Sequence, residues 1–176
     1  MREKTILVVI PVREEHRELL EEAAPGNHFV YSSIREVSRE QVQEADIILG
    51  NVPADKIRAS KKLQWLQLNS AGADAYTGQG ILDENTVVTT ANGAYGKTVS
   101  EHMFAMLLAM QKKLHLYRDS QNKHIWDEHG TVTSIADSTV LIFGMGDIGR
   151  HFAKMAHALG AYVIGCLLYT SDAADE

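Results

Sequence analysis

The chain has 176 residues, 45% hydrophobic and 23% charged, with a formal net charge of -6 and a single cysteine. That length can bury a core as one domain or as one and a half. The acidic balance argues against nucleic acid or an anionic membrane surface as partner, and no apolar run approaches the roughly 20 residues that span a bilayer. Lone Cys166 excludes an intrachain disulfide framework and fits a reducing, cytoplasmic setting.

The first half alternates strand and helix signals. Thr5 to Ile10 (TILVVI) predicts a first strand; the basic residues before it precede a run too short for a signal peptide. A charged helix follows over Arg13 to Ala24, then a short strand over His28 to Tyr31. Ser38 and Gln41 have capping-box spacing and should open a helix reaching about Ala45. Ile47 to Leu49 is a third strand, and Pro53 suits the first turn of a short helix to Ser60. Leu66 to Asn69 and Val87 to Thr90 complete five strands, so an open parallel sheet with helices on both faces is expected.

The character then changes. Thr98 to Glu101 is another capping box, leading into Met103 to Met110 (MFAMLLAM), whose unbroken apolar run predicts a helix covered on most sides. That helix is either a core helix, or one linking two domains or packing across a dimer axis. Lys112 to Asp137 is more polar and should hold the rest of the helix and a surface excursion. His124, Asp127, Glu128 and His129 fall there, but their spacing gives no i, i+4 His pair, and a solvated loop is the expectation, with no metal.

The most specific signal comes last. Thr139 to Phe143 (TVLIF) reads as a buried parallel strand, Gly144-Met145-Gly146-Asp147-Ile148-Gly149 follows at once, and Arg150 to Leu159 reads as a helix. In that setting G-x-G-x-x-G is a dinucleotide-binding turn. Gly144 makes the bend, Gly146 admits a pyrophosphate and Gly149 allows close helix–strand packing. The phosphates lie at the helix amino end, where the Asp147 and Ile148 amides donate. A further strand is expected over Tyr162 to Gly165.

Three segments in this order resemble the D-isomer-specific 2-hydroxyacid dehydrogenases: Trp65 to Asp74 (WLQLNSAGAD), Ala91 to His102 (ANGAYGKTVSEH), and the glycine loop with Ala158-Leu159-Gly160-Ala161 beyond it. The resemblance covers roughly Thr5 to Gly165. It implies a flavodoxin-like parallel-sheet substrate domain, here residues 1–97, followed by a linking helix and the first part of a Rossmann NAD-binding domain over 98–165. It also implies hydride transfer between NAD, or NADP, and a small 2-oxo or 2-hydroxy carboxylic acid, in a protein that is a homodimer when intact. The amides of Ala71, Gly72 and Ala73 are then expected to hold the substrate carboxylate, Asn51 and Asn92 to orient the substrate, and Thr98 to approach the cofactor. Each also has a plainer reading: a strand-end turn, turn asparagines, and an N-cap.

In the family the proton-transferring and carboxyl-binding groups are an Arg, a carboxylate and a His beyond the cofactor loop, and no residue here matches them. Cys166 to Glu176 resembles a translated transposase-end segment of a sequencing adapter and is expected to be a non-native tail on an N-terminal fragment, itself inactive. Asp172 therefore does not serve as the ribose-binding acid expected about 20 residues past the loop. There are two rival readings: an NADH-sensing corepressor of the same fold, and another Rossmann enzyme akin to the homocysteine-ribonucleoside hydrolases, against which the compact N-terminal half and the Ser70-Ala71-Gly72 loop speak.

Overall fold

Short β-branched strands alternating with helices bury both sheet faces only when the strands run parallel and the helices cross over between them. The computed structural model, which describes residues 2–167, has parallel strands with crossover helices, but the strand expected to be buried over Thr139 to Phe143 has no buried residue, Phe143 being 80% exposed. The chain forms two compact units, Met1–Asn92 and Gly93–Glu176.

In the first unit β1 (Thr5–Val8), β2 (His28–Tyr31), β3 (Ile47–Leu49), β4 (Trp65–Gln67) and β5 (Val87–Thr89) make one sheet in the order β2-β1-β3-β4-β5. Every pairing is parallel. The order reverses at β1, so a crevice opens beyond the carboxyl ends of the strands, where α/β sheets of this type bind ligands. Helices α1 (Glu14–Ala23), α2 (Arg39–Glu44) and α3 (Ala54–Ile57) make the crossovers. The expected capping box is present at α2: Ser38 Oγ accepts from the Gln41 amide at 3.1 Å, and the Ser38 amide donates to Gln41 Oε1 at 2.8 Å. Leu7, Val42, Ile48, Ile57, Leu66 and Leu68 are fully buried and form the core. Asp46, also buried, accepts from the Thr5 amide at 2.9 Å and from Gln64 Nε2 at 3.3 Å, tying β1 to the segment entering β4.

The second unit holds α4 (Gly96–Gln111), α5 (Leu114–Asn122), β6 (Thr139–Phe143), α6 (Asp147–Ala158) and β7 (Tyr162–Cys166). Strands β6 and β7 pair in parallel from Thr139 opposite Tyr162 to Phe143 opposite Cys166. The crossover through α6 makes a βαβ unit, and α4 packs on α6 with the Phe104 and Phe152 rings edge to face, 5.3 Å apart. Phe104, Ile135, Ala156 and Ala161 are its buried core.

Three further expectations need correction. Helix α4 begins at Gly96 behind Tyr95, and the Val99 amide closes its first turn on the Tyr95 carbonyl at 2.9 Å, so Thr98 is inside the helix and is not its N-cap. The apolar run on α4 is not covered on most sides. Phe104 is buried, but Met103, Met106 and Met110 are exposed, Met110 to 66%. Finally, α4 and α5 are separate helices, because Lys113 takes a left-handed conformation (φ 56°) that breaks the helical path. The division at Asn92 also falls ahead of the boundary expected at residue 97. Strand β7 includes Cys166, where the tail was expected to begin; residues 168–176 of that segment lie outside the described residues.

Ile48 sits on the central strand between β1 and β4 with no exposed surface. Ile48→Ala should lower the stability of the first unit by about 2–5 kcal/mol, because a cavity in this packed layer cannot collapse. Denaturant unfolding followed by far-UV circular dichroism measures the loss.

Candidate functional site

At the carboxyl edge of the first sheet, the chain leaves β3 through Gly50-Asn51-Val52 and β4 through Leu68-Asn69-Ser70. These two exits are bound to each other. The Asn51 amide donates to Asn69 Oδ1, and the Asn69 amide donates to Asn51 Oδ1, both at 3.0 Å. Asn51 Nδ2 donates to Ser70 Oγ at 3.0 Å, and Ser70 Oγ donates to the Gly72 carbonyl at 2.7 Å. The Ala91 amide after β5 donates to the Ser70 carbonyl at 2.9 Å, bringing the third exit onto the same residue. From the far side of the loop, the Tyr76 hydroxyl donates to the Val52 carbonyl at 2.7 Å. Burial raises the Tyr76 phenol above its ordinary value.

The network fixes Ala71, Gly72 and Ala73 as a turn whose carbonyl side is engaged. Among the described residues none of these three amides donates a hydrogen bond, Ala71 and Gly72 are exposed, and Asp74 Oδ2 lies 3.5 Å from a Cβ placed on Gly72. Small side chains with free, neighbouring amides suit a carboxylate or another small anion. Asn51 is at this rim, but its side-chain amide is already engaged by Asn69 and Ser70. Asn92 lies one residue beyond Ala91 and is exposed. Asn69 and Ser70 received no role from the sequence; the signal for them was their place directly after a buried strand, where polar side chains tie neighbouring exits together.

In the second unit the glycine loop has the geometry its spacing predicts. Gly144 takes φ +97°, and its amide donates to the Cys166 carbonyl at 2.8 Å, so the loop turns away as β7 ends. Gly146 is the N-cap of α6, and a side-chain carbon placed on it would meet nothing within 4 Å, which leaves the loop open for a ligand to approach. Gly149 is buried; a Cβ there would lie 2.0 Å from the Gly144 carbonyl oxygen and 3.4 Å from Ile142 Cγ2. The amides of Asp147 and Ile148 belong to the first turn of α6, where they are free to bind an anion, and the Arg150 amide closes that turn on the Gly146 carbonyl at 2.9 Å. The structure also brings the amino end of α4 to this loop through Gly96, which touches the Asp147 carboxylate. Thr98 is exposed on the first turn of α4. Among the described residues no group of three His, Cys, Asp or Glu side chains is placed to hold a metal ion.

Residues 104–176 match the family model described as D-isomer specific 2-hydroxyacid dehydrogenase, NAD binding domain. A D-3-phosphoglycerate dehydrogenase of Mycobacterium bovis is 31% identical over 142 residues, 75% of this chain and 26% of that protein. A glycerate dehydrogenase of Methylorubrum extorquens is 30% identical over 148 residues, 76% of this chain and 46% of that one. The solved structure of a D-isomer specific 2-hydroxyacid dehydrogenase family protein from Aeromonas salmonicida superposes with a TM-score of 0.78 at 27% identity, over 93% of this chain and 53% of that one. The chain belongs to the D-isomer specific 2-hydroxyacid dehydrogenase family.

The chain therefore spans between about a quarter and about half the length of these family members. The matched stretch includes the glycine loop described above, and the strand order of the first unit is the flavodoxin-like order that the resemblance implied.

Asn51→Ala removes both side-chain contacts that join the β3 and β4 exits. It should cost about 1–3 kcal/mol, at roughly 0.5–1.5 for each lost hydrogen bond, and should speed hydrogen exchange at the Asn69 amide. Alkaline pH gives a second check. Because the folded-state pKa of Tyr76 is raised, its contribution is intact below the free phenol's pKa of about 10 and is lost as pH climbs through the folded value. The stability of Tyr76→Phe, measured by denaturation at pH 9 and 11, should fall less over that interval than that of the unmodified chain.

Proposed function

We propose that this chain carries the carboxylate-binding and pyrophosphate-binding parts of a dehydrogenase that moves a hydride between NAD and a small 2-oxo or 2-hydroxy carboxylic acid. One observation supports the reading above the others: the close approach of α6 to β6 at Gly149, behind a loop with open space at Gly146. That geometry leaves the first-turn amides of α6 for a diphosphate, and the family model matching this stretch is described as NAD binding. When bound, the nicotinamide cofactor supplies or accepts the hydride. The Ala71-Gly72-Ala73 turn would hold the substrate carboxylate through its amides, with Asn51 and Asn92 at its rim, and Thr98 would stand beside the cofactor. The resemblance puts the group that protonates the alkoxide, and the cation that polarises the acid, in the additional length of the relatives.

The intact protein is proposed as a homodimer. The exposed methionines on α4, together with Ile125 and the almost fully exposed Trp126, make an apolar surface of the kind that homodimers bury. Among the described residues no helix is long and apolar enough to cross a membrane, and one cysteine fits the cytoplasm as the proposed location.

Titration with NADH, followed by the blue shift and gain of nicotinamide fluorescence, should show saturable binding with Kd between about 1 µM and 1 mM. Gly146→Asp places a carboxylate in the open space above the loop and should weaken binding by at least about 100-fold, the two energy decades that loss of a charge-assisted phosphate contact removes. Equal affinities for the two chains would overturn the assignment.

A further inference from the structure

The glycine loop contains an acidic residue where its ligand is expected to be an anion. Asp147 opens α6, and a carboxylate on that first turn competes with a diphosphate for the same positive helix end. Its side chain is turned to a second helix. A Cβ placed on Gly96 would lie 2.2 Å from Asp147 Oδ2 and 2.4 Å from both Cγ and Oδ1, so the carboxylate fills the notch left by the missing side chain. Gly96 is the first residue of α4, is buried, and starts a helix with no acidic residue in its first turn and no side-chain cap. On the other side His151 Nδ1 stands 3.3 Å from Asp147 Oδ1 and 2.9 Å from the Asp147 carbonyl oxygen.

We infer that Asp147 is a positioning residue for the phosphate loop, and that Gly96 is what permits it. The carboxylate seated at Gly96 neutralises the amino end of α4 and fixes that helix against the start of α6. It also keeps the loop's negative charge off the amides that would meet the diphosphate. Any side chain at position 96 evicts the carboxylate. The space left open for it is then the ligand's side of the loop, where it repels the diphosphate. This role rests on the dinucleotide reading above; the contact between the two residues does not.

The test uses the full 176-residue chain and three variants: Gly96→Ala, Asp147→Ala, and the two together. Thermal unfolding reads the contact. Gly96→Ala alone should lower Tm by roughly 5 °C or more, as expected for a forced steric shift in a unit this small, and by under about 2 °C when Asp147→Ala is already present. Additive losses would overturn the contact and the inference with it. Calorimetric titration with ADP-ribose and with adenosine reads the role. Gly96→Ala should weaken ADP-ribose binding at least about fivefold while adenosine, which has no phosphate, stays within about twofold. The double variant should recover most of the lost ADP-ribose affinity. Parallel loss of both ligands, or no recovery in the double variant, would mean a purely structural contact and overturn the positioning role. An unmodified chain that binds neither ligand would overturn the dinucleotide reading and this role together, while coupled Tm values would still establish the contact.

Discussion

The approach of α6 to β6 is the constraint on which the second unit depends. At Gly149 the helix comes so near the turn that the smallest side chain would sit 2.0 Å from the Gly144 carbonyl oxygen. No rotamer adjustment relieves a clash between a Cβ and a backbone oxygen, so the unit exists in this form only with glycine there. The closeness aims the first turn of α6 along the exit of β6, where its unpaired amides present about half a positive charge to whatever lies above the loop. It also sets the position of Asp147, and through Asp147 the start of α4. Two neighbouring elements, β6 and α6, and the distant α4 thus take their geometry from one missing methyl group at Gly149 and a second at Gly96.

The first unit solves a similar problem with side chains. Parallel strands end with their carbonyls and amides pointing into the exits, and three separate exits must be held in register before any of them can present a ligand site. Asn51 and Asn69 do this reciprocally, each backbone amide answered by the other's side-chain oxygen. Ser70 joins the third exit through its backbone carbonyl while its hydroxyl holds Gly72. A side chain engaged in this way is not free to be the main ligand group, so a carboxylate at this rim would be held by backbone amides. That suits the small residues at 71–73, which contribute nothing else.

Much of this was legible in the residues. Parallel strands betray themselves as short apolar runs between helix and turn signals, and the five strands of the first sheet lie at or near those runs. The α2 capping box was readable because both partners are within three positions, and the glycine loop because its three glycines have distinct local duties. What escaped depends on contacts between distant positions. The start of α4 was placed at Thr98 because Thr and Glu had capping spacing, but Gly96 pairs with Asp147, some fifty positions on, and that contact carries the helix start further back. The break at Lys113 gives no sequence signal, since lysine ordinarily favours the helix and here takes φ 56° under tertiary constraint. Cover for the α4 methionines was inferred from hydrophobicity alone, which says that a surface is apolar and not what buries it.

In the proposed reading both candidate sites would bind through amides and not through cations, which suits the acidity of the chain. With a net charge of -6, the long-range field opposes an anionic ligand. Within a few ångströms, however, fixed peptide dipoles outweigh that field, because distant charges are screened over roughly 8–10 Å and converging amides are not. A protein of this kind does not need basic side chains to hold a carboxylate or a diphosphate, but it does need its acidic side chains kept away from them. In the first unit Asp74 borders the 71–73 turn, with Oδ2 3.5 Å from a Cβ placed on Gly72, so its carboxylate must turn aside for an anion to take those amides. In the second unit the one acid inside the glycine loop is drawn off by a second helix end. Anion binding here is therefore as much a matter of where carboxylates are stored as of where amides are aimed.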